Sequence, residues 1–316
     1  MNTEVLGAAE PNTIARAIEY LRRGDPVALP TETVYGLAAD ALNVDAVLKV
    51  FEAKERPRFD PLIVHLPNHD WLDRLTNASE APLVRSLIDR FWPGPLTLVL
   101  PRKSIVADVV TAGLETVAVR MSAHPVFAQV VREFGSPLAA PSANRFGRIS
   151  PTQANHVASE LSGRIPLIVD GGATTHGLES TIVAPRGNVL YVLRHGPITV
   201  EELSEFGETK TALRSERIEA PGQLPSHYAP RTPLIVADHF ESGGKNIGRL
   251  TFERLSPTRD LREAATNLFR CLRELDEQNH DLIVAEPIPE VGLGVAIMDR
   301  LRRASSGAAD KPAQSL

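Results

Sequence analysis

The chain has 316 residues, with 34 Lys and Arg against 39 Asp and Glu, so its formal net charge is −5. Hydrophobic residues make up 43% and charged residues 23%, a composition that excludes a wholly disordered chain. The single cysteine excludes a disulfide scaffold and a cysteine-built zinc site. The length predicts about two domains.

The first residues contain no basic cluster and no apolar core, so they do not resemble a signal peptide. No apolar run approaches the ~18 residues that a membrane-spanning helix needs. We therefore expect a cytoplasmic protein without a membrane partner. The acidic balance also argues against tight nucleic-acid binding, which depends on Lys and Arg at phosphates.

Helix and strand patterns alternate over residues 1–205 and predict an α/β domain with a mixed twisted sheet. Asn12 is a candidate N-cap for a first helix, and Ser150, followed by Pro151 and Gln153, is typical of another helix start. Further helices are predicted at 44–51, 83–91 and 126–134. Short apolar runs predict strands at 27–29, 61–66, 96–100, 117–121, 166–170, 180–184 and 189–193.

The composition changes after residue 205. Charged residues and then prolines fill 206–232, which predicts an extended linker between domains. Residues 233–304 carry a strand at 233–237, a long amphipathic helix, a strand at 281–286 and a final helix at 295–303, which predicts a small Rossmann-like domain. Residues 305–316 are predicted to be a disordered tail.

Polar side chains follow several of the predicted strands, where α/β folds place ligands. Thr31, Glu32 and Thr33 follow the strand at 27–29; the alternative is a local hydrogen-bonded cap. Lys54, Arg56 and Arg58 alternate in a proline-flanked segment, as in a polyphosphate site or a solvated basic loop.

Arg120 is the most informative of these polar residues because its neighbours in VAVRM are apolar. Its guanidinium needs an anion, either a ligand carboxylate or an internal Asp or Glu. Small donors at Ser142, Asn144 and Ser150 surround a proline-fixed turn, and Arg194 ends another strand.

Common catalytic signatures are absent from the sequence, which contains no phosphate-binding P-loop, no HExxH and no GxSxG. The polar strand ends therefore predict a site that binds anions and orients reactants without a covalent nucleophile.

The segments PTETVYGL, KERPRFDPLIVH, WPGPLTLVL, TAGLETVAVRM, APSAN, SPT, DGG and ESTIV occur in the order of the YrdC family. The later PGQLPSHYAP and AIMDRLRRA resemble its long, two-domain form. The resemblance covers about residues 14–304 and implies a YrdC-like fold. It also implies synthesis of L-threonylcarbamoyladenylate from L-threonine, bicarbonate and ATP. The product would pass to a transferase that forms threonylcarbamoyladenosine beside the anticodon of tRNA.

The resemblance also implies roles for individual residues. Threonine would contact Thr33, His65, Arg120, the backbone at Ala140, and Ser180. ATP would contact Lys54, Arg56, Asp60, Thr116, Ser142, Asn144, Ser150 and Arg194. Lys54 and Arg56, with the Mg²⁺ that accompanies ATP, would stabilise the transferring phosphoryl group, and no metal site built by the protein is expected.

Two positions depart from the family pattern. The family often has Asn or His at the place of Asp60, and archaeal members have a Tyr at the place of Pro225. Contacts of these two residues with ATP therefore stay open. Two other functions also remain: a carbamoyl-transfer module of hydrogenase maturation, and an RNA-binding module.

Overall fold

The computed structural model describes residues 1–211, 219–222, 227–240 and 243–306, which form a large and a small β-sheet, each flanked by helices. The large sheet contains, in chain order, β1 (Glu4–Gly7), β2 (Val27–Leu29), β3 (Gly36–Asp40), β4 (Ile63–His65), β5 (Leu96–Pro101), β6 (Thr116–Arg120), β7 (Leu138–Ala139), β8 (Leu167–Asp170), β9 (Thr181–Arg186), β10 (Val189–Arg194) and β11 (Glu208–Thr211).

The strands of the large sheet lie in the order β1-β8-β2-β3-β7-β4-β6-β5-β9-β10-β11. Strand β4 is parallel to β6, whereas β5 is antiparallel to β6 and parallel to β9. The predicted mixed sheet is confirmed. The strands β1, β3 and β7 were not predicted, because the first lies in a polar terminus and the other two directly follow polar turns.

The helices associated with this sheet are α1 (Thr13–Arg22), α2 (Val44–Lys54), α3 (Asp70–Leu75), α4 (Pro82–Phe91), α5 (Asp108–Thr111), α6 (Pro125–Phe134), α7 (Ala154–Leu161) and α8 (Val200–Ser204).

Local sequence explains several of these helix ends. Asn43 caps α2, its side chain accepting hydrogen bonds from the amides of Asp45 and Ala46. Gly135 ends α6 at a φ of 79°, a left-handed conformation that glycine adopts without strain. The predicted helix start at Ser150 is wrong, because α7 begins at Ala154. The Ser150 hydroxyl instead donates to the Glu179 carboxylate, so it does not cap a helix.

The small sheet consists of β12 (Leu234–Val236), β13 (Ile247–Leu250) and β14 (Leu282–Ala285), all parallel, with β14 in the centre. The helices α9 (Phe252–Leu255), α10 (Leu261–Glu277) and α11 (Leu293–Ser306) accompany it. This parallel α/β unit confirms the predicted small second domain, which also contains the unpredicted strand β13.

The two parts share one apolar cluster. Val34, Ile149 and Leu178 from the first part pack with the buried residues of α10 and α11. Burial of apolar surface is worth roughly 25 cal/mol per Å², so this shared cluster contributes directly to holding the second domain on the first.

The segment predicted as a linker begins inside the large sheet, since β11 pairs in parallel with β10. The sequence of β11, ETKT, is polar, because an edge strand with mostly exposed side chains needs no alternation of apolar and polar residues. Of the rest of this segment, 212–218 and 223–226, which include Pro225, lie outside the described residues. In the predicted tail, α11 continues to Ser306, and 307–316 are not described. None of the described helices is long and apolar enough to cross a membrane.

Candidate active site

Four strand ends meet at one edge of the large sheet. Strands β4 and β6 are parallel, so their last residues, His65 and Arg120, lie side by side. Strand β9 runs the opposite way and therefore begins at this edge, directly after Ser180, and its antiparallel neighbour β10 ends there with Arg194. The topology thus gathers four polar side chains from distant parts of the sequence.

A cavity lies at this edge, and residues 221, 222, 227 and 228 contribute to its wall. It is lined by Thr31, Thr33, Val34, Gly36, Arg56, Ile63, His65, Arg120, Ala140, Pro141, Ser142, Glu179, Ser180, Arg194, Pro221, Gly222, His227 and Tyr228.

Arg120 is held by three different acceptors. Its Nε donates to the Gly94 carbonyl at 3.1 Å, and its Nη1 donates to Thr33 Oγ1 at 3.1 Å. Its Nη2 donates to Glu32 Oε1 at 2.5 Å, and Ser122 donates to the other oxygen of Glu32. The internal carboxylate partner, one of the two alternatives for Arg120, is therefore present, and the same side chain also lines the cavity.

The ionisation of this pair follows from its surroundings. Burial alone would raise the pKa of Glu32, but Arg120 and Ser122 outweigh it and hold that pKa at about 2. Both members of the pair are therefore charged at neutral pH, and the cavity contains a fixed guanidinium.

His65 forms part of the cavity wall as a neutral ring. Burial, together with the Arg120 charge, lowers the pKa of His65 to about 3. The ring lies 4.5 Å from that of Phe127, and its Nδ1 has no hydrogen-bond partner among the described residues. A buried, unpaired ring nitrogen is costly unless a ligand or water satisfies it.

Arg194 and Ser180 form another part of the wall. Arg194 Nη2 donates to Ser180 Oγ at 3.0 Å, and Arg194 Nε donates to the Ser180 carbonyl at 3.0 Å. Thr97 Oγ1 lies 2.8 Å from the same Ser180 hydroxyl. These contacts fix the hydroxyl at the cavity surface.

Arg56 reaches the cavity from the segment after α2. Its Nη2 donates to the Pro61 carbonyl at 2.8 Å and lies 2.9 Å from Asp60 Oδ2. Asp60 is fully buried and does not line the cavity. The three alternating basic residues do not form one extended segment. Lys54 is the last residue of α2 and Glu55 has a left-handed conformation, whereas Arg58 is exposed.

Lys54 lies behind the loop that carries Ser142. Its Nζ donates to the carbonyl oxygens of Ser142 and Asn144, and the side chain is almost fully buried. Burial, aided by the charge of Arg56, lowers the pKa of Lys54 to about 7. In this conformation Lys54 fixes the backbone of the loop and is not part of the cavity wall.

The structure therefore brings together eight of the thirteen predicted site residues on one cavity: Thr33, Arg56, His65, Arg120, Ala140, Ser142, Ser180 and Arg194. Lys54, Asp60, Asn144 and Ser150 lie behind this wall, each bonded or close to residues that form it or its supporting loop. Thr116 is at the other end of β6, four residues from Arg120 or about 13 Å along the strand.

The lining residues without a predicted role include Glu179, Gly222, His227 and Tyr228. Glu179 directly precedes Ser180 in the ESTIV segment, and His227 and Tyr228 belong to the SHYAP segment, so the sequence carried a signal for three of them. Gly222 has a φ of 81°, and a Cβ there would lie 2.8 Å from Tyr228 Oη.

No group of three or more His, Cys, Asp or Glu among the described residues is placed to hold a metal ion. The positive charges at the cavity come from the guanidinium groups of Arg56, Arg120 and Arg194. This arrangement suits anionic substrates, including an ATP molecule that brings its own Mg²⁺.

Two family models match the chain: one described as "Telomere recombination" over residues 19–196, and one described as "Threonylcarbamoyl-AMP synthase, C-terminal domain" over 198–306. A threonylcarbamoyl-AMP synthase of Bacillus subtilis is 41% identical, covering 96% of each chain. The Pyrococcus abyssi Sua5 protein complexed with L-threonine is 38% identical, with a TM-score of 0.88 over 97% of this chain and 98% of that one.

The hydrogenase-maturation alternative receives only fold-level support. Full-length HypF is 17% identical and matches 60% of this chain and 30% of its own, with a TM-score of 0.52. The identity is far higher, and the coverage nearly complete, for the synthases. The chain therefore belongs to the two-domain, Sua5-type threonylcarbamoyl-AMP synthases of the YrdC family, which act in threonylcarbamoyladenosine modification of tRNA.

Proposed function

We propose that the cavity binds L-threonine and Mg²⁺-bound ATP side by side and joins them, with bicarbonate, into L-threonylcarbamoyladenylate. The observation that carries this assignment is the meeting of Arg120, Arg56 and Arg194 with small hydroxyl donors on one cavity. The solved relative with L-threonine has the same fold over nearly the whole chain, which supports a threonine site here.

The threonine end of the cavity is the wall formed by Thr33, His65 and Arg120. Ser180, which also lines the cavity, is assigned to threonine as well. The Arg120 guanidinium is already oriented by Glu32 and Gly94, so it can receive the threonine carboxylate without reorganising. Neutral His65 offers a hydrogen-bonding nitrogen without adding charge. Ala140 closes this end through its backbone, whose amide is held by the Ile63 carbonyl.

The nucleotide end is the wall formed by Arg56, Ser142 and Arg194. Their cationic and hydroxyl groups suit the phosphates of ATP, and Lys54 orders the loop that presents Ser142. Ser150 and Asn144, which lie behind this wall, are also assigned to the nucleotide end. The predicted contact of Thr116 with ATP stays a prediction.

The reaction requires no side-chain nucleophile. The amine of threonine attacks the carbon of bicarbonate-derived CO₂ and becomes a carbamate, and the proton that it loses combines with the hydroxide released from bicarbonate to form water. A carbamate oxygen then attacks the α-phosphorus of ATP, a P–O bond forms, and the bond to the leaving pyrophosphate breaks. Orientation of reactants can supply ~7–11 kcal/mol, and cations stabilise the charge that develops on the phosphoryl oxygens. Mg²⁺ would bind the departing phosphates.

The labile product would then pass to the transferase that modifies tRNA. The test of the proposal is release of pyrophosphate and formation of L-threonylcarbamoyladenylate, detected by mass spectrometry, from threonine, bicarbonate and ATP. We expect both only when all three substrates are present. Equal pyrophosphate release without threonine would overturn the assignment.

A matched pair of variants tests the site itself. Arg56→Met removes a guanidinium from the cavity, whereas Arg58→Met removes an exposed one two residues away. We expect the first to lower kcat/KM for ATP at least ~10-fold and the second to leave it within about twofold, as surface substitutions usually do.

A further inference from the structure

Arg300 of the second domain is fully buried, although it is a charged residue. Its Nε donates to Glu179 Oε2 at 2.9 Å, its Nη2 donates to the His195 carbonyl at 2.9 Å, and its Nη1 donates to Asp299 Oδ2 at 2.8 Å. Two of these three contacts cross from α11 to the first domain. A buried guanidinium is tolerated only with such complete pairing.

The two residues that Arg300 holds in the first domain flank two cavity residues. Glu179 directly precedes Ser180, and His195 directly follows Arg194, so Arg300 spans the open end of the β9–β10 hairpin. Gly196 allows this closeness, since a Cβ there would lie 2.5 Å from the Glu179 carbonyl oxygen. Arg300 thus contacts the residues directly next to the Ser180–Arg194 pair at the cavity.

The same guanidinium acts on two further segments. Glu179 uses one oxygen for Arg300 and the other to accept a hydrogen bond from the Ser150 hydroxyl. The Arg300 guanidinium also lies 5.1 Å from the centre of the Tyr228 ring. One side chain of the second domain therefore fixes parts of three segments that surround the cavity.

We propose that Arg300 is a positioning residue through which the second domain sets the nucleotide end of the active site. It acts through the Glu179–Ser150 pair, the Ser180–Arg194 pair and Tyr228. The proposal rests on the assignment of Ser150 and Arg194 to ATP made above. Because both Glu179 oxygens are engaged, Glu179 transmits position and is not a free base.

A purely structural role is the alternative, in which Arg300 only docks the second domain. Docking has other contributions, such as the hydrogen bond from Thr266 Oγ1 to the Thr175 carbonyl at 2.9 Å. The shared apolar cluster adds to these. Loss of Arg300 should therefore leave the domains associated while loosening the cavity wall.

The experiment measures ATP and threonine affinities by calorimetry, with melting temperatures, in five proteins. They are the wild type, Arg300→Met, Arg300→Lys, the double variant Arg300→Met with Glu179→Gln, and Arg302→Met. The last is a matched control, because Arg302 is on the same helix but is exposed and paired with Glu290. In the double variant, no buried carboxylate is left without its Arg300 partner. A loss of ATP affinity that persists there therefore comes from lost positioning and not from an unpaired buried charge.

We expect Arg300→Met to raise the Kd for ATP at least about tenfold, equivalent to about 1.4 kcal/mol, and to affect threonine less. Arg300→Lys should recover part of the affinity. The double variant should recover thermal stability but not ATP affinity, and Arg302→Met should match the wild type. If ATP affinity recovers together with stability, or never changes, Arg300 only docks the domain. If the wild type itself binds no ATP, the nucleotide assignment fails instead.

Discussion

Arg120 and Glu32 form a buried ion pair, with Nη2 and Oε1 2.5 Å apart, at the wall of the substrate cavity. The carboxylate belongs to the polar turn after β2 and the guanidinium ends β6, so the pair joins two segments that are distant in sequence. It leaves the Nη1 edge directed at Thr33, another lining residue. In the proposed assignment, threonine recognition and local stability therefore depend on the same side chain.

Replacing Arg120 should affect threonine binding and stability together. Arg120→Lys keeps the charge but cannot reproduce three contacts in a planar geometry. We expect the KM for threonine to rise at least ~10-fold, from the loss of ~1.5–3 kcal/mol of charged hydrogen bonding. ATP affinity should change little. Steady-state kinetics and a melting curve on one variant check this, and an unchanged threonine KM would remove Arg120 from the site.

The pH dependence of stability should report the Glu32 carboxylate. Its pKa is about 2 in the folded protein against 4.5 as the ordinary value, so the folded state favours the ionised form. The stabilisation is fully present above pH 4.5 and is lost as the pH falls towards 2. We expect Glu32→Gln to be less stable than wild type at pH 7, with the difference shrinking by pH 3. Urea unfolding at both pH values measures it; a constant difference would contradict the assignment.

Lys54 should influence ATP use through the loop that it holds. Lys54→Met removes the donor to the Ser142 and Asn144 carbonyls and leaves both unsatisfied in a buried place. We expect kcat/KM for ATP to fall at least ~10-fold, with threonine affinity within about threefold. Lys49→Met is a control on the same helix, because Lys49 pairs with Asp25 at the surface. Equal losses for both substrates would indicate general misfolding.

The Lys54 ammonium also predicts a rise of stability with pH, but at alkaline pH, because here burial disfavours the charged form in the folded protein. Its pKa of about 7 in the folded protein lies below the ordinary value of 10.5, so the unfolded chain binds the proton more tightly. The free energy of unfolding should therefore gain a rising contribution between pH 7 and pH 10.5. This contribution should be missing in Lys54→Met. If the free energies of unfolding of the wild type and of Lys54→Met differ by the same amount across that pH range, the lowered pKa of Lys54 is contradicted.

The sequence predicted the central strands well because their apolar runs are unbroken, as in 96–100 and 189–193, which became β5 and β10. It failed at Ser150, where a typical helix-start pattern gave way to a hydrogen bond with Glu179, 29 residues away. Such a contact depends on the second domain, since Arg300 holds the other oxygen of Glu179. Local patterns contain no information about that arrangement.

The sequence indicated which residues the site would contain, but not which of them line the cavity and which lie behind its wall. The strand-end rule indicated Arg120 and Arg194 because each interrupts or ends an apolar run. It could not place Lys54 behind the Ser142 loop, because that depends on contacts with carbonyl oxygens 88 and 90 residues away. For Tyr228, the SHYAP segment gave a signal, but its contacts with Phe269 and Arg300 of the second domain could not be predicted from local pattern.

Tyr228 offers the clearest separation of function from stability. Tyr228 lines the cavity and its ring packs against His227, Phe269 and Arg300, whereas its buried hydroxyl has no hydrogen-bond partner among the described residues. Tyr228→Phe removes an unsatisfied buried hydroxyl and keeps the ring, so the melting temperature should stay the same or rise. If the hydroxyl binds substrate, affinity for ATP or threonine should fall about 3- to 10-fold. Tyr20→Phe is the matched control, because its hydroxyl bonds Glu4 at the surface, away from the cavity. Unchanged affinity for both substrates in Tyr228→Phe would show that only the ring of Tyr228 matters.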